Sequence, residues 1–150
     1  MKKIIIVSLL QAVSILASDN EYINRTGWHF GLGIGYHDKL YLKNSEVNAI
    51  PLLGLSFEYG LSPQLSLGLE YKGIILGGLT ALQMKYYLSD ENNSLFFTGG
   101  IEHAYNAPDS FDSEVGAKLG IGYAWKHLEI EISGHQGRDV SGDGVLRYKF

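Results

Sequence analysis

The 150-residue chain contains no cysteine. That excludes disulfides and thiolate metal sites, so an exported form must be held together by other means. It has no run of basic residues and a formal net charge of −4, which argues against nucleic acid as a partner. After the first seventeen residues, no apolar stretch reaches the about 20 residues that a membrane-spanning helix needs. Helical periodicity is missing too. The glycines of "GLGIG" (31–35) are not a phosphate-binding loop, because no helix follows to receive the anion.

The beginning of the chain is distinctive. In "MKKIIIVSLLQAVSILAS", Lys2 and Lys3 precede an apolar core ending in small residues. This pattern predicts a secretory signal peptide over 1–17, cleaved after Ala17, with no following cysteine to carry a lipid anchor. Residues 18–150 are then one domain, and losing Lys2 and Lys3 takes its net charge to −6.

What fills the domain is two-residue alternation. In "GWHFGLGIGYH", Trp28, Phe30, Leu32, Ile34 and Tyr36 share one face of an extended strand, and the intervening histidines and glycines share the other. Seven more segments repeat the pattern: "LLGLSFEYG", "QLSLGLEYK", "TALQMKYYL", "SLFFTGGIEHAY", "VGAKLGIGYAW", "LEIEISGH" and the terminal "GDGVLRYKF". A helix would scatter each apolar set around a cylinder, so these are eight strands. Connections 60–63, 89–93 and 126–127 are tight. Segments 37–48, 73–79, 106–114 and 135–143 are expected as the longer loops of an antiparallel meander.

Alternation serves a soluble barrel and a membrane barrel equally, with the faces exchanged. Three features select the membrane form. Aromatic residues on the apolar face sort towards strand ends, with Trp28, Tyr59, Tyr86, Trp125 and Tyr148 at one level and Tyr36, Tyr71 and Tyr105 at the other. Such girdles match the two bilayer interfaces. The polar face is rich in glycine, which weakens a solvated strand but suits a crowded lumen. Its charges also balance: Glu58, Glu70, Glu102, Glu129 and Glu131 face Lys72, Lys85, Lys118, Arg147 and Lys149. A poorly hydrated interior must pair its charges.

The last strand runs its alternation to the final residue, through Leu146, Tyr148 and Phe150. This terminus resembles the C-terminal signal of bacterial outer-membrane barrels, and the whole domain resembles small eight-stranded barrels of the OmpX/opacity-protein type. The resemblance is one of pattern and length. It implies an all-β, eight-stranded, antiparallel up-and-down transmembrane barrel in a Gram-negative outer membrane, with both termini in the periplasm. It also implies contact with outer-membrane lipids and lipopolysaccharide, and recognition of Leu146, Tyr148 and Phe150 by the barrel assembly machinery. The expected role is structural or surface-interacting, with loops 37–48 (Leu40 and Tyr41 included) and 106–114 as places for an extracellular partner.

Chemistry is sparse. Lipid A deacylases, barrels of similar size, carry a late His-x-Ser pair with an acidic partner, so "SGHQGRDVSGDG" offers His135, Ser133, Ser141 and Asp143 as catalytic candidates. Residue 137 is glycine, however, and Ser133 lies about 6–7 Å along the strand from His135, long for a nucleophile–base bond. His135 is expected as a loop histidine. Asp109, Asp112 and Glu114 have the carboxylates that calcium prefers, without the glycine or register of a calcium loop. His29, His37, His103 and His127 show no metal-ligand spacing. No cofactor is expected, and eight strands crossed by ten charges leave little room for a pore.

Overall fold

In the computed structural model, the described residues are 25–42, 45–74, 77–91, 93–106, 114–137 and 140–150; for 39–42, 45–50, 74, 77, 105 and 106 the description covers the backbone alone. Residues 1–17, expected as a signal peptide, and Asp109 and Asp112 lie outside these residues.

Eight strands follow one another: β1 (Gly27–Leu42), β2 (Ser45–Ser62), β3 (Leu65–Ile74), β4 (Gly77–Tyr87), β5 (Asn93–Asn106), β6 (Glu114–Trp125), β7 (Leu128–Gln136) and β8 (Val140–Lys149). Each pairs antiparallel with the next, and β8 closes on β1 through Gly31↔Lys149 to His37↔Asp143. Closure removes every sheet edge within the barrel wall. The side-chain period then fixes the two surfaces. Leu53, Leu55, Phe57 and Tyr59 point out, while Ser56 and Glu58 between them point in and are 2 % exposed or less.

This is an inside-out protein: the outer surface is apolar and the interior carries the charge. Trp28 and Tyr36 bound the apolar belt on β1, eight residues apart. That is about 27 Å along a strand, or roughly 20 Å of height at the usual barrel tilt, close to the apolar band of outer-membrane barrels. At the lower girdle, Trp28 stacks on Phe57 at 4.7 Å and meets Tyr59 edge-on at 4.8 Å. The lower girdle lies at what we term the turn end. There, Lys126 adopts a left-handed φ of 44°, which lets the chain reverse between β6 and β7 in two residues.

At the opposite, loop end the strands run further than their alternation predicts. Segment 37–48, expected as a loop, is mostly paired backbone: β1 and β2 continue from His37↔Ile50 to Leu42↔Ser45. β8 stops pairing with β1 at His37, and β3 stops pairing with β2 at Leu53. The hairpin therefore rises above the rim as a two-stranded ribbon. Segment 73–79 narrows to the two residues between Ile74 and Gly77, and 135–143 to those between Gln136 and Val140. Beyond the belt neither face meets lipid, so pairing continues after apolar alternation has ended.

Candidate functional site

The interior is the distinctive chemical feature, and it falls into three levels. At the turn end, Tyr87, Phe96 and Ala124 form a small apolar cluster. The Tyr87 hydroxyl donates to Glu129 Oε1 at 2.6 Å, and the Arg25 guanidinium lies 4.4 Å above its ring while donating to the Ser89 carbonyl at 2.7 Å. Lys149 holds Glu58 at 2.6 Å and Glu129 at 2.7 Å.

The middle level is a charge lattice. Lys85 bridges Glu58 at 2.6 Å and Glu129 at 2.7 Å. Arg147 reaches Glu129 at 3.0 Å and also binds Glu70, while Lys118 spans Glu70 at 2.5 Å and Glu131 at 2.6 Å. Lys118 donates to Gln83 Oε1 as well, at 2.8 Å. All ten charges expected on the inner face are there, and each is at least 85 % buried. Glycines make room for them. A Cβ on Gly68 would stand 2.6 Å from Cγ of Glu58, and one on Gly31 would meet the Ser56 hydroxyl and, at 2.9 Å, Cδ of Arg147.

The loop-end level contains residues assigned to loops on sequence alone. His135 and Asp143 are strand residues facing the lumen, 5 % and 4 % exposed. His135 is thus not a loop histidine: inner-face parity carries on past Ser133 on β7, and past Val145 towards Asp143 on β8. Asp143 hydrogen-bonds to Lys72 and accepts from Ser133 Oγ at 2.6 Å. His135 lies between two carboxylates, Nδ1 2.8 Å from Glu102 and Nε2 3.1 Å from Asp143. His37, opposite Asp143 in the β1–β8 ladder, completes the group, its ring 5.4 Å from that of His135.

Of the catalytic candidates, Ser141 is the cross-strand neighbour of His135, and Ser133 lies opposite Asp143. Both ring nitrogens of His135 face carboxylates, so neither is placed to take a proton from a serine. The group also faces the lumen, with the barrel wall between it and any acyl chain. Glu114 opens β6, its carboxylate against Gly137. Among the described residues, the side chains that could together hold a metal ion are His37, His135 and Asp143.

A closed, eight-stranded antiparallel barrel with an apolar belt outside and ion-paired charge inside is the architecture of a transmembrane β-barrel. Solved structures of small outer-membrane barrels share this fold. The N-terminal barrel domain of Pseudomonas aeruginosa OprF superposes with a TM-score of 0.52 at 18 % identity, covering 80 % of this chain and 97 % of that one. OprG of the same organism gives 0.53 at 12 % identity, over 83 % and 96 %. The attachment invasion locus protein Ail of Yersinia pestis gives 0.50 at 15 % identity, over 83 % and 99 %. At these identities the likeness is one of fold. No protein family and no curated protein sequence matches the chain.

Proposed function

We propose that this protein resides in a bacterial outer membrane as a sealed barrel, exported by its signal peptide 1–17, with a structural or surface-interaction role at the cell exterior. The observation that carries this reading is the pairing of an apolar belt with a lumen closed by ion pairs. Such a barrel anchors what stands above it and conducts little. The ribbon formed by β1 and β2 and the connection 107–113 are the parts offered to an extracellular partner, and the belt meets lipid and lipopolysaccharide. Leu146, Tyr148 and Phe150 serve as the signal to the assembly machinery.

Reconstitution in planar bilayers tests the sealed state, with no stepwise conductance expected. Protease treatment of intact cells is expected to cut only within the β1–β2 ribbon or the connection 107–113 and leave a protected barrel. Steady ion current, or a chain left uncut at both places on intact cells, refutes the reading. Lipid A from expressing cells should keep its acyl chains; a change dependent on His135 would instead favour a hydrolase or acyltransferase.

A further inference from the structure

We propose that the loop end of the lumen binds one divalent transition-metal ion through His37, His135 and Asp143. The three come from neighbouring strands β1, β7 and β8, and one ligand atom of each lies within 4.8 Å of the others. All three side chains are buried, in a lumen whose other charges are locked in ion pairs.

Both imidazoles are backed by an acceptor. Nδ1 of His37 lies 2.9 Å from the Gly142 carbonyl, and Nδ1 of His135 lies 2.8 Å, off-axis, from a Glu102 carboxylate oxygen. A histidine that gives its Nδ1 proton to a carbonyl, as His37 is placed to do, presents the Nε2 lone pair in front, the arrangement that metal-ligating histidines use, and the carboxylate behind His135 favours the same tautomer. Asp143 is held as well. Its Oδ1 accepts from Ser133, and its Oδ2, which accepts from Lys72, lies 3.1 Å from Nε2 of His135. Two ligands about 2.0–2.2 Å from one metal stand roughly 3 Å apart, so this pair already has the separation of atoms sharing an ion.

Two further observations point to a cation. The contacts of His135 are close but off-axis: neither of its ring nitrogens completes an aligned hydrogen bond, although the residue is 95 % buried. The charge count is also uneven here. At this level of the lumen Glu102 and Asp143 are two buried carboxylates beside one buried lysine, Lys72, and the described ion-pair partner of Glu102 is His135 rather than a lysine or arginine. Lys72, which hydrogen-bonds to Asp143, also lies 3.6 Å from Glu70 and retains that partner when a metal takes Oδ2.

The donor set selects the ion. Two imidazoles and one carboxylate suit zinc, copper or nickel, with a coordination position left for water, whereas calcium and magnesium take oxygen ligands. No thiolate is needed, which fits a chain without cysteine.

The test uses the full, untagged chain, refolded in detergent and titrated calorimetrically with zinc chloride. One ion per barrel is expected. His37→Gln and His135→Gln should each weaken binding by about 100-fold or more, and Glu102→Gln, behind the ligand, by about 10–100-fold. His127→Gln, at the turn end, should change nothing. Pulsed electron paramagnetic resonance of the copper-loaded wild-type barrel should show two coordinated imidazoles, a readout that does not depend on any variant folding. A folded wild-type barrel that takes up no zinc overturns the proposal and leaves His135 as an imidazolium bridge. Binding that survives both histidine substitutions, or a copper spectrum without imidazole nitrogen, overturns it equally.

Discussion

Arg147 and Glu70 are 77 residues apart in sequence and hydrogen-bond directly across the lumen, from β8 to β3. Arg147 also reaches Glu129 and Glu131, so one guanidinium serves three carboxylates on two other strands. Breaking a buried ion pair from one side leaves charge uncompensated and costs about 3–5 kcal/mol. Arg147→Met should lose about that much stability, measured by urea titration in lipid vesicles. Adding Glu70→Leu should recover part of the loss, because it restores the charge balance. A double variant less stable than the single one would show that the lattice does not act by balance.

That lattice was legible in the sequence to an unusual degree. Strict parity placed all ten charges on one face, and their equal numbers of each sign, with the aromatic girdles and the glycine-rich face, marked that face as the interior. Which cation meets which carboxylate was not legible, because it depends on strand tilt and stagger around the closed barrel. The loop-end group was missed for a different reason. His135 and Asp143 sit among glycine, serine and charged residues, a composition that reads as loop. Parity alone would have found them: His135 follows Glu131 and Ser133 at intervals of two, and Asp143 precedes Val145 and Arg147 likewise. His37 shares inner-face parity with His29 on β1, but its partner Asp143 is 106 residues away, and only closure of β8 on β1 joins them. Phe96 faces the lumen and is fully buried, although a large aromatic looks out of place on a polar face. It fills the space over Gly122, which has no side chain.

The two faces should respond in opposite ways to charge. Leu69 is 52 % exposed on the outer wall, inside the belt between Phe57 and Leu82; Ser66, on the same strand, is buried opposite Lys85. Leu69→Arg should destabilise by about 2–4 kcal/mol near the bilayer midplane, and thinner lipid should relieve the defect. Ser66→Arg should fail through crowding and repulsion from Lys85, whatever the lipid thickness. Refolding yields in vesicles of short- and long-chain lipids separate the two, and an equal response from both would refute the assignment of faces.

Two glycines supply a packing test. A Cβ on Gly122 would lie 2.5 Å from the Ile130 carbonyl oxygen and against the Phe96 ring. Gly122→Ala should therefore cost about 1–3 kcal/mol through overpacking. Around Gly134 the nearest atoms to such a Cβ are 4.0 Å away, on the lipid side. Gly134→Ala should be neutral or stabilise by about 0.4–1 kcal/mol, since alanine has fewer unfolded conformations to lose. Unfolding curves that rank the two variants the other way would contradict the interior packing.

A structural role for Phe150 and the proposed recognition role can be separated by experiment. Phe150 donates its backbone N–H to the Phe30 carbonyl at 2.8 Å, and its ring lies 4.9 Å from that of Tyr148 and 6.2 Å from that of Phe30. The side chain is nevertheless 63 % exposed on the outer wall, so it contributes little to packing within the barrel. If its importance were structural, Phe150→Ala would refold poorly in vitro as well as in cells. If it serves recognition by the assembly machinery, purified Phe150→Ala should refold into detergent with near wild-type yield. The same variant should accumulate poorly as a folded, heat-modifiable band in the outer membrane, with passage across the inner membrane unaffected. The β8–β1 ladder ends at Gly31↔Lys149, so the seam that closes the barrel lies immediately beside this residue. Aiding closure there is the step at which an external factor would act. Wild-type levels of folded barrel in cells expressing Phe150→Ala would remove the recognition role, and equal defects in cells and in detergent would replace it with a structural one.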